Sequence, residues 1–325
     1  MRTSINKIAV WATLLLTAVA TAMRLLTLPQ VQAEAVGEAG ISIWLLLALT
    51  VGAAVLIVLA YCSRLPLRPV EDEHAVPLGI VAAIAGAVLF VDTVMAMVRL
   101  NLTGVTPPPN TQILNQADRV TLWLTLVFGF LAGVWLIVLG IRWGRRSSLT
   151  LVERLGALTP VLWMWCRLAR YELSYASATN AKRSFYDFFM LIFLMLFLLA
   201  LARYAADVAP PSAKAMRAYA SVAAMVGISS PLTRLGMHLL GDVESFNASQ
   251  LAGVVDFAIG LLALGMTVYL YREQPTLEPE DEEDDEDENA EFNLFSPEDL
   301  SPESPTPVAD RLIRELLSEE QSADE

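Results

Sequence analysis

Long apolar runs separated by short polar stretches make up the chain as far as residue 272. Six windows, 8–28, 41–62, 76–98, 120–141, 185–202 and 251–271, reach bilayer length, the last with one internal acid, Asp256. A hydrocarbon core about 30 Å thick needs roughly 20 apolar residues, each rising about 1.5 Å. None of these runs shows the period-two alternation of a barrel strand. Backbone groups in hydrocarbon must bond within their own segment, so each run predicts a helix.

Two further segments are weaker. Residues 149–166 hold Glu153-Arg154 near the start and Pro160 in the middle, leaving a clean apolar run only at 155–166. The spacing of Trp143 from Trp163 and Trp165 fits two headgroup belts and favours a crossing. Glu153 and Arg154 are then close enough to pair with each other or to reach the interface. Residues 216–240 are rich in Ala, Ser and Gly and carry Pro231 and Arg234. Small side chains let helices approach closely, so this segment predicts an interior helix. The expected fold is all-α: a polytopic transmembrane helix bundle of about eight spans, or six to eight depending on the two weak segments.

At the N-terminus, Arg2 and Lys7 precede the first apolar run, and Ala20-Thr21-Ala22 resembles a signal-peptidase site. The run continues through Leu25 and Leu26 beyond Arg24, which favours an uncleaved first helix. With the N-terminus inside and Arg234 left out because it lies within a span, eight-span and seven-span models both leave twelve Lys/Arg inside and seven outside. Charge bias therefore sets the orientation without choosing the span number. The tryptophan spacing favours eight, with the C-terminus in the cytoplasm.

Composition changes abruptly after Arg272. Residues 1–272 carry 20 Lys/Arg against 14 Asp/Glu, and residues 273–325 carry 2 against 21. The net charge of −13 and the pI near 4.7 thus describe the tail. Residues 280–288 are consecutive acids, whose mutual repulsion predicts a disordered, extended spacer. Phe292, Leu294 and Phe295 follow, then Ser/Thr-Pro steps at Ser296, Ser301, Ser304 and Thr306. Within 306–320, Thr306 suits an N-cap and Pro307 the first helical position. Val308, Leu312, Leu316 and Leu317 share one face of that short amphipathic helix, and the three leucines are the candidate docking residues. Two domains are expected: a multi-pass body, 1–272, and a disordered acidic tail, 273–325.

Candidate chemistry is sparse. Cys62 and Cys166 read as inert buried thiols, and His74 and His238 lack metal-ligand spacing. No GxSxG, HExxH, P-loop or GxGxxG pattern is present. The expectation is a protein that is not an enzyme and uses no cofactor or metal. Gly129-x-x-x-Gly133 with Gly140, and Gly253 with Gly260, predict close helix seams. Arg167, Arg170, Lys182 and Arg183, interleaved with Trp165, Tyr171 and Tyr175, suit lipid headgroups and not nucleic acid.

Asp92 lies about 16 residues into an apolar helix, where a carboxylate is costly unless paired or protonated. Arg234 and Asp256 complete a candidate intramembrane polar site; Asp187 and Asp256, near helix ends, read as water-accessible structural acids. The leading functional expectation is a non-enzymatic anchor, sensor or assembly component whose tail recruits a cytoplasmic protein. The alternative is a small-solute or ion permease using Asp92 with Arg234 or Asp256. Short loops and a compact body suit a multi-pass protein of the bacterial inner membrane.

Overall fold

The computed structural model describes residues 2–33, 40–63, 75–103, 112–147, 149–175, 181–206, 212–239 and 250–272. Contacts divide the chain into two units, Met1–Glu273 and Gln274–Glu325. The acidic run, the 306–320 segment with Leu312, Leu316 and Leu317, and His74 lie outside the described residues, as do the side chains of Tyr175, Lys182, Arg183 and His238.

Among the described residues the secondary structure is helical throughout. The helices are α1 (Arg2–Ala33), α2 (Gly40–Cys62), α3 (Ala75–Thr103), α4 (Gln112–Gly144), α5 (Leu151–Gly156), α6 (Thr159–Tyr175), α7 (Ala181–Ala206), α8 (Ala213–Leu239) and α9 (Gln250–Tyr271). Five of them carry stretches long and apolar enough to cross a membrane: Asn6–Leu26, Val76–Val98, Arg119–Gly144, Tyr186–Ala206 and Gly253–Tyr271. In α2 the apolar stretch among the described side chains is Leu47–Cys62. Large apolar side chains point outward along α1 to α4, among them Trp11, Leu15, Val58, Ile80, Ile84, Val91 and Trp123. In water such a surface would be an aggregation liability; in lipid it is the expected exterior.

Helix α8 is the axis of the bundle. Every residue from Ala220 to Ser230 is buried, and α1, α2, α7 and α9 all pack on it. Its Ala, Ser and Gly content permits this, because bulky side chains would hold four neighbours further away. Pro231 lies inside the helix and has no N–H for the Gly227 carbonyl, while Thr233 Oγ1 donates to the Ser229 carbonyl at 2.7 Å. On the α9 side, a methyl placed on Gly227 would come within 3.1 Å of Gly260 Cα.

The glycines of α4 behave as their spacing predicts. Gly133 faces Phe90 of α3, Gly140 faces Gly79 and Ala83, and Gly129 lies against Thr93 and Trp163. Gly260 meets α8 backbone, whereas the nearest neighbour of Gly253 is the Arg234 guanidinium at 3.9 Å.

These contacts also give the helix directions. Gly79–Gly140 and Gly86–Gly133 make α3 and α4 antiparallel. Gly156–Trp135 followed by Trp163–Gly129 carries α5 and α6 back along α4. Leu194–Gly227 with Asp187–Arg234 sets α7 against α8, and Arg217–Leu270 with Gly227–Gly260 sets α9 against α8. Gly52–Met225 with Ser63–Arg217 does the same for α2. Leu25–Gly236, with Leu16 and Met225 both at Gly52, makes α1 parallel to α8. With α5 and α6 counted as one pass, direction alternates at every step along the chain.

Four local expectations change. The 149–166 segment is broken at Ala157-Leu158, and a new helix begins at Thr159 with Pro160 in its first turn, where a missing N–H costs nothing. Glu153 pairs with Arg142 of α4 and not with its neighbour Arg154, whose Nε donates to the Leu149 carbonyl. Trp143 and Trp163 are buried in the core, so their spacing reflects packing and not two headgroup belts. Of the two cysteines, Cys166 is buried and Cys62 is exposed.

Helix α4 ends with Ser147 N–H donating to the Arg142 carbonyl at 3.1 Å and Arg146 N–H to the Trp143 carbonyl at 3.3 Å. This closure places Arg146 at φ 54°, a left-handed position usually taken by glycine. A Cβ there costs about 1–2 kcal/mol. Arg146→Gly should therefore raise the thermal midpoint by an amount equivalent to about 1 kcal/mol. An unchanged or lower midpoint would mean that contacts of the arginine side chain outweigh the strain.

Candidate functional site: a buried arginine–aspartate network

Six helices bring charged residues toward one end of the bundle. Asp187, in the second turn of α7, accepts from Arg24 Nη2 of α1 at 3.2 Å, and from Ser230 Oγ at 3.3 Å and Arg234 Nη2 at 2.9 Å, both of α8. The Arg24 guanidinium also stacks on the Tyr186 ring, 3.6 Å from its centroid. The Tyr186 hydroxyl is in turn hydrogen-bonded to Ser229. The donors to Asp187 therefore come from two other helices, α1 and α8.

The second cluster is a two-point ion pair. Arg167 of α6 donates through both terminal nitrogens to the two Asp256 oxygens of α9, with Nη2 at 2.8 Å from Oδ2. The Trp163 ring lies 5.4 Å from the Arg167 guanidinium carbon, and Asp256 is only 1 % exposed. Across the two clusters, Arg24 and Arg234 offset Asp187, and Arg167 offsets Asp256. Fork-to-carboxylate geometry of this kind is the arrangement in which a desolvated pair recovers most of its burial cost.

Measured against expectation, the three candidate residues are drawn toward one region but not into one another's hands. Arg234 donates to Asp187, and Asp256 takes Arg167 as its partner. Asp92 is half-buried on α3, next to Thr93, which packs toward Gly129. Sequence reading did not anticipate Arg167 or Arg24 as members. Arg167 was expected at the headgroups and instead turns inward. The signal for Arg24 was there, since it interrupts an apolar run that continues beyond it.

The opposite end of the bundle is built differently. Arg217 is fully buried and bridges two helix C-termini, donating to Ser63 Oγ after α2 at 3.1 Å and to the Leu270 carbonyl of α9 at 3.3 Å. A guanidinium at such ends satisfies carbonyls that have no intrahelical donor. At the same end, α5 is held by Glu153. Its carboxylate accepts from the Thr150 backbone N–H at 2.7 Å and from Arg142 Nη2 at 2.9 Å, and Trp135 Nε1–H donates to the Glu153 carbonyl at 2.8 Å.

Those hydrogen bonds, the Thr150 amide first and Arg142 next, hold the Glu153 carboxyl below the ordinary glutamate range. A carboxyl depressed on folding stabilises above its unfolded pKa and loses that contribution as pH falls through the folded value. Amide protection over residues 150–156, measured against the intrinsic exchange rate at each pH, should therefore fall as the medium is acidified below the ordinary glutamate range. Glu153→Gln should show low protection there without that acid step. An acid step surviving in that variant would assign the effect to another group.

Among the described residues no group of three or more His, Cys, Asp or Glu side chains is arranged to hold a metal ion. No protein-family model, curated protein or solved structure matches this chain.

Proposed function

We propose that the protein is a non-enzymatic, multi-pass membrane component (an anchor, sensor or assembly factor) whose acidic C-terminal tail recruits a cytoplasmic partner. The observation that carries this reading is the mutual neutralisation of the buried charges. Asp187 and Asp256 are each held by arginines from other helices, so the network works as a lock across α1, α6, α7, α8 and α9. A carrier carboxylate must exchange its partner during each cycle, and two-point pairing opposes that. The unbalanced charge of the chain resides in residues 273–325.

Strict alternation of helix direction supports eight crossings, with both termini on one side. The end that receives the N-terminus of α1 also carries Arg142, Arg145, Arg146, Lys214, Arg217 and Arg272. The positive-inside rule assigns that end to the cytoplasm of a bacterial inner membrane. Reporter fusions at Gln274 and Glu325 should be active only with a cytoplasmic reporter.

Recruitment is tested on the full chain in native membranes. Changing Leu312 and Leu316 to Asp should abolish partner capture at all ionic strengths. Replacing 281–288 by Gly/Ser should weaken it only at low salt, where steering matters. A tail whose removal at residue 306 changes neither the partners nor the cellular phenotype would end this reading.

A second reading, a small-solute or ion permease, draws on Asp92, half-buried on α3 at the end of the bundle that holds the Arg167–Asp256 pair. It requires proteoliposome flux that Asp92→Asn abolishes without loss of folded protein.

A further inference from the structure

On the outer side of the bundle, α3 and α9 leave between them a groove of about 550 Å³. Its floor is made of small residues, Ala85, Ala258 and Gly265, and its rims of Ile84, Leu261 and Val268. The floor has room to spare, since a methyl on Gly265 would make only an ordinary contact with Leu78, at 3.4 Å. The lining is apolar except at one end, where Tyr269 and Arg272 close it. Leu78 faces Gly265 across antiparallel helices, so Arg272 lies beyond the start of α3 at Ala75. From Val88 to Pro77 the α3 wall is about 16 Å long, close to one leaflet of a core about 30 Å thick. The groove thus runs from the middle of the hydrocarbon to the headgroup level, and its polarity changes where a lipid's would.

We propose that this groove binds one phospholipid, with an acyl chain along α3 and α9 and the phosphate on Arg272. This inference rests on the membrane-embedded reading above. A soluble ligand would leave its polar groups without partners along that lining, whereas an acyl chain has none. The exposed guanidinium of Arg272 matches phosphate oxygens in a two-point geometry. Arg217, donating to the Leu270 carbonyl, offsets the negative end of α9, so the helix terminus does not cancel the Arg272 charge.

The test uses the full-length protein in membranes containing equal parts of phosphatidylethanolamine, phosphatidylglycerol and diacylglycerol with the same acyl chains. Lipid retained after mild extraction is counted by native mass spectrometry, and photoactivatable acyl chains map where each lipid sits. One phospholipid, phosphatidylethanolamine or phosphatidylglycerol, should be retained about fivefold over diacylglycerol, the discrimination of about 1 kcal/mol that one basic residue near a membrane surface supplies. Its acyl chain should crosslink to α3 and α9. Arg272→Gln, a surface change that leaves the bundle intact, should reduce retention to the diacylglycerol level. Gly265→Phe should remove all three lipids from the groove. Equal retention of the three lipids, insensitivity to Arg272→Gln, or a second protein helix crosslinked in the groove would each overturn the proposal. Release of the protein by alkaline carbonate would overturn the membrane reading as well; a membrane-embedded protein without this selectivity overturns the lipid site alone.

Discussion

Asp187→Leu should lower the stability of the bundle by about 3–5 kcal/mol, the usual cost of removing one partner from a buried pair. Two guanidiniums lose their acceptor at once, but they do not lose equally. The Arg234 side chain is 31 % exposed and sits near the end of α8, so it can turn toward the headgroups. The Arg24 side chain is 8 % exposed and is pinned against Tyr186. Most of the penalty should therefore lie on Arg24. Adding Arg24→Met to Asp187→Leu should recover more stability than adding Arg234→Met, as read from thermal unfolding in lipid discs. Equal recovery from the two double variants would mean that Arg24 reaches solvent as readily as Arg234. If Asp187→Leu alone costs under about 1 kcal/mol, the network does not lock the helices together.

The seam between α3 and α4 should be nearly as sensitive. A methyl on Gly140 would sit 2.5 Å from the Gly79 carbonyl oxygen and 2.6 Å from the Ala83 nitrogen. Both are backbone atoms, so no side chain can swing away and the helices must separate. Overpacking of this kind costs about 1–3 kcal/mol for one methyl and more for a larger group. Gly140→Ala should lose that amount and Gly140→Leu should fail to give a folded protein. Gly144, one turn later, has nothing within 4 Å of the same added methyl. Gly144→Ala should be neutral or stabilising by up to about 1 kcal/mol through helix propensity. If both alanine variants behave alike, the contact between α3 and α4 is looser than these distances imply.

Helix positions were readable from hydropathy because a bilayer imposes both length and apolarity on a segment. The six strong windows fall inside α1, α2, α3, α4, α7 and α9, and the small-residue segment is the interior helix α8. The partners of the charges were not readable. Arg24 and Asp187 are 163 residues apart, and Arg167 and Asp256 are 89 apart. Hydropathy averages over a segment and carries no information about which helices become neighbours. Asp187 illustrates the cost: near a helix end it looks water-accessible, and only the arrival of α1 and α8 around it makes it a hub. The break before α6 was hidden for another reason. Its cause is the pull of Glu153 toward Arg142 and of its carbonyl toward Trp135, both on a different helix.

The distance in sequence between Arg24 and Asp187 has a consequence for biosynthesis. A ribosome adding about 5–20 residues per second produces Asp187 roughly 8–33 s after Arg24. Throughout that interval α1 is already made, and the acid that later neutralises its arginine has not been translated. The nascent first helix must therefore wait with Arg24 at the lipid–water boundary or inside the insertion machinery. It can take its final depth only when α7 and α8 arrive. Early helices of this protein are thus provisional, and the order of translation differs from the order of assembly.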